Sequence, residues 1–283
     1  GGIAFFPPYS SAGSIGYSRG TLESMAGILS YLQASNADYF AVSDCDVLCG
    51  VDLSDVLEYH IAHDAGITLI CTDTGHGKVM VTPDENGRLQ EATRGGEGAW
   101  MFTNMYIINR QLLIQLVTEA ASLNQYSFVD TCLIQKGREL PIYCYRYDGF
   151  CRAADSMQAY FDISMCLLNP AVRNSLFPMD RPVYTRVQDE VPVKYGLSAM
   201  VSNSLVADGC IIEGRVENCI VFRGARIGHG AVVKNSIIMQ GCSIGNGADL
   251  DYCICDKGVL VADSRRLAGY ATYPLYIPRD TRV

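Results

Sequence analysis

Leu205-Val-Ala-Asp-Gly209-Cys-Ile211-Ile-Glu-Gly214-Arg-Val216-Glu-Asn-Cys-Ile-Val221-Phe-Arg-Gly224-Ala-Arg-Ile227-Gly228 is the stretch whose spacing decides the architecture. Aliphatic residues recur in it every five or six positions, at Leu205, Ile211, Val216, Val221 and Ile227. The pattern continues through Val233, Ile238 and Ile244, with Gly241 before the last of them and Gly245 directly after it. A hexapeptide period places one aliphatic side chain per flat strand inside a triangular coil, with Gly or Asn at the corners. The expectation is a left-handed parallel β-helix over residues 196–283. Ordinary hairpins with Gly turns are the competing reading, and eight aliphatic repeats in step argue against them.

Upstream the texture is different. From Gly20 to about Leu168, helix-like and strand-like segments alternate: Leu22, Met25, Ala26, Leu29 and Leu32 at helical spacing, then the short apolar run Tyr39 to Val42. Leu57 and Ile61 mark a helix after Ser54, and Ile67 to Cys71 is a β-branched run. Such alternation predicts an α/β domain with a mostly parallel sheet and helices on both faces. Asn86-Gly87, between Val79–Val81 and Leu89, is a hairpin signal that makes part of the sheet antiparallel. Leu112, Leu113, Leu116 and Val117 give one further helix, and Met157, Tyr160, Phe161, Met165 and Leu168 another. Residues 174–195 hold Pro178, Pro182 and Pro192 and read as a linker. The domain expectation is therefore 1–173, a linker 174–195, and 196–283.

The 283 residues are 49% hydrophobic with a formal net charge of −8, at a mean hydropathy of +0.11 and a pI near 5.0. Phosphate-backbone binding needs a clustered cationic face, which the dispersed Lys and Arg do not make, so a nucleic-acid partner is not expected. No apolar run has the length of a membrane span, and no secretion signal is read. The twelve cysteines include no C-x-x-C pair and sit in apolar positions, as small core residues of a reducing cytoplasm would. Cytoplasmic location is the resulting expectation.

The second informative stretch is Tyr39-Phe-Ala-Val-Ser-Asp-Cys-Asp46-Val-Leu-Cys-Gly-Val-Asp52. A carboxylate following a strand of an open α/β sheet lies where such sheets bind ligands, so Asp46 is a candidate ligand for a divalent metal. Asp44, Asp46 and Asp52 also suit a plain strand-to-helix loop. His60 and His63 fall on one helix face beside Asp64, an arrangement open to metal but better suited to a solvated polar face; His76 lies apart.

The two halves together resemble the sugar-nucleotide pyrophosphorylases, above all the glucose-1-phosphate adenylyltransferase (ADP-glucose pyrophosphorylase) family. Tyr17-Ser18-Arg19-Gly20-Thr21-Leu22-Glu23-Ser24 is similar to that family's W-Y-x-G-T-A-D-A. Cys45-Asp46-Val47 to Val51-Asp52 is similar to G-D-H-x-x-x-M-D, and Val79-Met80 through Asp84, Gly87, Arg88 and Leu89 to V-M-x-x-D-x-x-G-R-I. Arg181-Pro182-Val183-Tyr184-Thr185 matches R-P-x-x-T. The resemblance implies a partial nucleotide-diphospho-sugar transferase domain, Rossmann-like and GT-A-like, ahead of the β-helix. It implies nucleotide contacts at Arg19, Gly20 and Thr21, sugar-phosphate contacts at Arg94 and Tyr106, and Mg²⁺ at Asp46. It also implies the substrates ATP and glucose 1-phosphate and the product ADP-glucose.

The departures from the family pattern matter as much. The chain opens at Gly1-Gly2-Ile3 without a G-G-x-G-x-R-L loop, so the first β-α unit of the family fold is expected to be missing from it. The E-K-P lysine that grips the sugar phosphate falls at Gly95, with Arg94 as a differently shaped cation beside it. The S-M-G-I-Y pocket reads Phe102-Thr103-Asn104-Met105-Tyr106, and the second metal carboxylate falls at Ala153, with Asp155 two residues on. Metal-assisted phosphoryl chemistry is mostly positioning and charge stabilisation, and losing one such contact typically costs about a hundredfold to a thousandfold.

What this implies is a GlgD-type regulatory subunit with no intact catalytic set, assembling with a catalytic homologous subunit in a dimer or tetramer. An active adenylyltransferase, a hexapeptide-repeat acyltransferase using His229, and a scaffold are the alternatives. The subunit contact is expected on the β-helix at Val221, Phe222 and Ile238, where adjacent residues are apolar and only one of each pair can point inward.

Overall fold

The computed structural model describes residues 2–6, 18–73, 77–96, 98–185 and 189–283. Tyr17 and His76 of the readings above lie outside them. The chain forms two compact units, Gly1–Cys151 and Arg152–Val283.

The first unit is built on a six-stranded sheet. Its strands are β1 (Tyr39–Ser43), β3 (Ile67–Thr72), β4 (Val79–Pro83), β5 (Leu89–Arg94), β6 (Trp100–Asn109) and β7 (Ile142–Arg146); the three-residue β2 (Val47–Cys49) stands outside it. All six residues of β3 are buried, as an Ile-Thr-Leu-Ile-Cys-Thr run in mid-sheet requires. The order is β5-β4-β6-β3-β7, with β1 beside β6.

Only β3 and β7 pair in parallel; β6 runs against β1, β3 and β4, and β4 against β5. The expectation of a mostly parallel sheet is corrected on this point. Apolar runs mark buried strands without marking their direction, and the ten-residue β6 sets the direction for three neighbours.

Helices α1 (Thr21–Ala26), α2 (Leu29–Ala34), α3 (Leu53–Ala62) and α4 (Arg110–Ser122) complete this unit. The single helix expected over Leu22–Leu32 is two short ones, broken at Gly27-Ile28. Asp52 caps α3, its carboxylate accepting from the Ser54 N–H at 2.8 Å. Leu113, Leu116 and Val117 of α4 join Leu22, Leu32, Ile67, Leu69 and Ile108 in one core.

In the second unit three five-stranded parallel sheets close into a solenoid of about four turns, a hexapeptide-type left-handed β-helix. One interior column runs Val216, Val233, Leu250, Leu267 below an exposed Val201, and another Ile212, Ile227, Ile244, Val261 below an exposed Tyr195. These two columns repeat after 15 or 17 residues, and the third column ends on a longer step, from Cys255 to Ile277. At two early repeats the inward residue is one place along from the aliphatic that the spacing selects: Ile212 is buried and not Ile211, and Val206 stacks on buried Val221 in place of Leu205. Where two aliphatics adjoin, spacing alone leaves the face undecided by one residue. Gly209, Gly224, Gly241 and Gly258 make one corner at φ between +67° and +75°, which glycine tolerates best.

Helices α5 (Met157–Cys166) and α6 (Pro170–Leu176) belong to this second unit. Phe161 of α5 is buried against Ile237 and Ile254, the outward aliphatics of one solenoid face. The division after Cys151 therefore falls earlier than residue 173. The expected linker is also shorter than 174–195, because α6 runs to Leu176 and Lys194–Tyr195 already pairs with Ile211–Ile212.

Candidate functional site

A cleft of about 350 Å³ opens in the first unit where α1, the ends of β1, β4 and β5, strand β6 and the segment 127–130 converge. It brings together five residues that the sequence singles out: Arg19, Gly20, Thr21, Arg94 and Tyr106. Gly20 is needed by close approach, since a Cβ there would lie 2.4 Å from the Tyr126 carbonyl oxygen that accepts from the Leu22 N–H. Arg19 donates to Glu23 (Nη2 to Oε1, 2.7 Å) and lies over the Tyr126 ring, 3.4 Å from its centroid. The same hydrogen bond holds the Glu23 carboxyl below its ordinary pKa.

Tyr106 stacks on Phe128 with centroids 4.2 Å apart, planes 5° from parallel. The residue is buried, burial pushes its phenol well upward, and its hydroxyl has no hydrogen-bond partner among the described residues. Phe102 lines the cleft from the same strand. Between them β6 bulges opposite Leu69–Cys71, Asn104 takes φ +59°, and the Thr103 hydroxyl donates to the Ile70 carbonyl at 2.7 Å. The bulge turns Asn104 into the cleft, where its amide donates to Asp44 Oδ2 at 2.8 Å.

Arg94, at the end of β5, donates from Nε and Nη2 to the two oxygens of Asp130 at 2.6 and 2.9 Å, and from Nη2 to Ser127 Oγ at 3.1 Å. Arg94 first, then Ser127, holds the Asp130 carboxyl below its ordinary range. Next to it Gly95 has φ +58°, and a Cβ there would meet nothing within 4 Å. Space for a longer side chain exists, but the left-handed backbone disfavours one.

Asp46 sits half-buried in the turn between β1 and β2, outside the residues that line the cleft; Asp44 lines it instead. Among the described residues no three His, Cys, Asp or Glu side chains group as a metal would require. Ala153 offers no carboxylate, and Asp155 lines a separate shallow cavity of the second unit with Ser156, Tyr160 and Asp256. The described residues thus make no three-ligand protein site for a divalent cation.

His60 is neither a ligand nor solvated. It is buried, with Nε2 2.6 Å from Asn109 Oδ1 and Nδ1 2.8 Å from the Thr68 hydroxyl, and burial lowers its pKa. His63 packs against Tyr59 and Tyr143. Of the three expected contact residues on the β-helix, Val221 and Ile238 point into the coil and are buried, while Phe222 is 38% exposed. An interior column needs both as its aliphatic members, so neither can face a partner. Ser127 and Asp130 went unread in the sequence, and Asn104 was named only as a member of the Phe102–Tyr106 segment, without a role. Asn104 left one signal, a polar residue interrupting the apolar run of β6.

Among the described residues no helix is long and apolar enough to cross a membrane. Residues 190–270 match the family of GlmU-like C-terminal hexapeptide domains. Over 258 residues the chain is 33% identical to the glycogen biosynthesis protein GlgD of Bacillus subtilis, covering 91% of this chain and 67% of that protein. It is 29% identical over 246 residues to the glucose-1-phosphate adenylyltransferase of Geobacillus stearothermophilus, covering 83% and 63%. It is 34% identical over 205 residues to the GlgD of the same organism, covering 72% and 52%. The chain thus spans about half to two thirds of the length of these relatives.

Proposed function

This chain belongs to the family of glucose-1-phosphate adenylyltransferases and their GlgD-type relatives, and from that premise we propose that it serves glycogen biosynthesis as a non-catalytic subunit. In this reading it assembles with a catalytic homologue that makes ADP-glucose and diphosphate from ATP and glucose 1-phosphate. One observation carries the reading: among the described residues no three acidic, His or Cys side chains group into a metal site, so the cleft supplies no protein cage for Mg²⁺. Gly95, where the resemblance expects the phosphate-gripping lysine, supports it. Nucleotidyl transfer depends on charge stabilisation at the transferred phosphorus, and an absent metal set removes the largest part of that.

A second reading, an active adenylyltransferase, has one observation in its favour: Arg19, Arg94 and Tyr106 do converge on a single cleft. Diphosphate release decides between them. The protein in its natural full length, given ATP, glucose 1-phosphate and Mg²⁺, is expected to release diphosphate at under about a hundredth of the rate of a catalytic family member. Added to its catalytic homologue, it is expected to co-sediment and to change the homologue's rate. Turnover on its own comparable to the homologue's would overturn the proposal.

A further inference from the structure

We propose that the cleft of the first unit takes an uncharged, hydroxyl-bearing ligand, and that Asp130 is the residue that keeps phosphate out of it. This rests on the reading of the chain as non-catalytic, and adds a ligand class to it.

The Arg94 guanidinium presents a planar fork to Asp130, the geometry with which arginine holds a phosphate. A carboxylate of the chain itself occupies that fork. The pair is about half exposed, with side-chain accessibilities of 53% and 43%. On its own, so exposed an ion pair resists displacement by less than about a fivefold factor. The stronger barrier is the charge left behind. A phosphate seated on Arg94 would stand roughly 4 Å from the Asp130 carboxylate, where like charges at this exposure disfavour binding by on the order of tenfold. Arg19 is likewise engaged, by Glu23 and the face of Tyr126.

Lys78 also lines the cleft and has an interaction of its own; what else the cleft offers is suited to hydroxyl groups. The Tyr106 hydroxyl is buried at the cleft without a partner among the described residues, although more than nine in ten buried polar groups in proteins have one. Asp44, held by Asn104, supplies carboxylate acceptors, and Phe102 an apolar face. A few convergent polar groups on an aromatic lining are the usual makeup of a small-molecule cleft, and 350 Å³ is at the small end of the range.

The test is equilibrium titration of the chain with D-glucose and adenosine as uncharged probes, and with inorganic phosphate and glucose 1-phosphate as anions. At least one uncharged probe is expected to bind at least tenfold tighter than phosphate. Asp130→Asn should raise phosphate affinity at least tenfold, with Asp130→Ser as a second carboxylate-free variant should the first fold poorly. Tyr106→Phe should weaken the uncharged probe at least fivefold and leave phosphate unchanged. Failure of both uncharged probes to bind overturns the proposal, as does phosphate binding the unaltered chain as tightly as the Asp130 variants. A chain that binds phosphate yet releases no diphosphate would sink this inference alone; turnover would sink the subunit reading whatever the titrations give.

Discussion

Tyr106 and His60 are both buried polar side chains, and they sit at opposite ends of one accounting. His60 is fully satisfied: Asn109 accepts from Nε2 and Thr68 donates to Nδ1, which fixes the neutral ring. Its depressed pKa means that the unfolded chain takes up a proton near pH 6.5 while the folded chain does not. Stability from this residue is therefore present above about pH 6.5 and is lost as pH falls toward the lower folded value. Urea midpoints should drop as pH falls below about 6.5, and His60→Gln should lose stability overall yet flatten that slope; an unchanged slope would contradict this. Tyr106, by contrast, carries an unmatched hydroxyl, a cost of about 1–3 kcal/mol. Tyr106→Phe keeps the stack on Phe128, so it should be as stable as the unaltered chain or up to about 2 kcal/mol more stable. A loss above that size in urea unfolding would show that the hydroxyl has a partner after all. Arg19, Arg94 and Tyr106 were legible in the sequence because local motifs carry them. Asp130 was not, because its meaning lies in an ion pair across 36 positions that only the folded sheet and the segment after α4 bring together.

At the scale of elements, the solenoid was legible from its period, and the helix that covers it was misplaced. Amphipathic spacing identifies α5 as a helix but says nothing of which surface it buries. Its place is set by Ile237 and Ile254, which face outward from the coil and need cover. A ten-residue helix is marginal alone, so packing must hold it. Phe161→Ala removes the central contact and should cost about 3–5 kcal/mol in chemical unfolding. A loss below about 1 kcal/mol would mean that α5 is held by something else. The sheet of the first unit shows the complementary gap: β3 and the β4–β5 hairpin are readable from composition and from Asn86-Gly87, whereas strand direction is a property of pairing with β6 and leaves no mark within any one strand.

For the molecule as a whole, the question is which surface meets another chain. The outward aliphatics Ile237 and Ile254 are satisfied within the unit by α5, and Val221 and Ile238 by the coil interior. Among the described residues the large apolar side chains that the solenoid still exposes include Phe222 at its side, Leu260, Tyr270, Tyr273 and Tyr276 toward its last coil, and Leu197 and Met200 of the first coil, where the strands Lys194–Tyr195 and Met200–Ser202 each end a sheet with an open edge. Open edges and exposed large apolar side chains are what assembly covers. Under the proposed role, Phe222→Glu should weaken association with the catalytic homologue by at least tenfold and leave circular dichroism unchanged, because a side chain outside the coil contributes nothing to its interior column. Met200→Glu, made in parallel, separates a side contact from one at the coil's end: loss of association with Met200→Glu alone would move the interface to the first coil. Sedimentation velocity of the unaltered protein with its homologue is the reference measurement. If the two sediment apart at micromolar concentration, neither surface is a subunit contact and the assembly role falls with it.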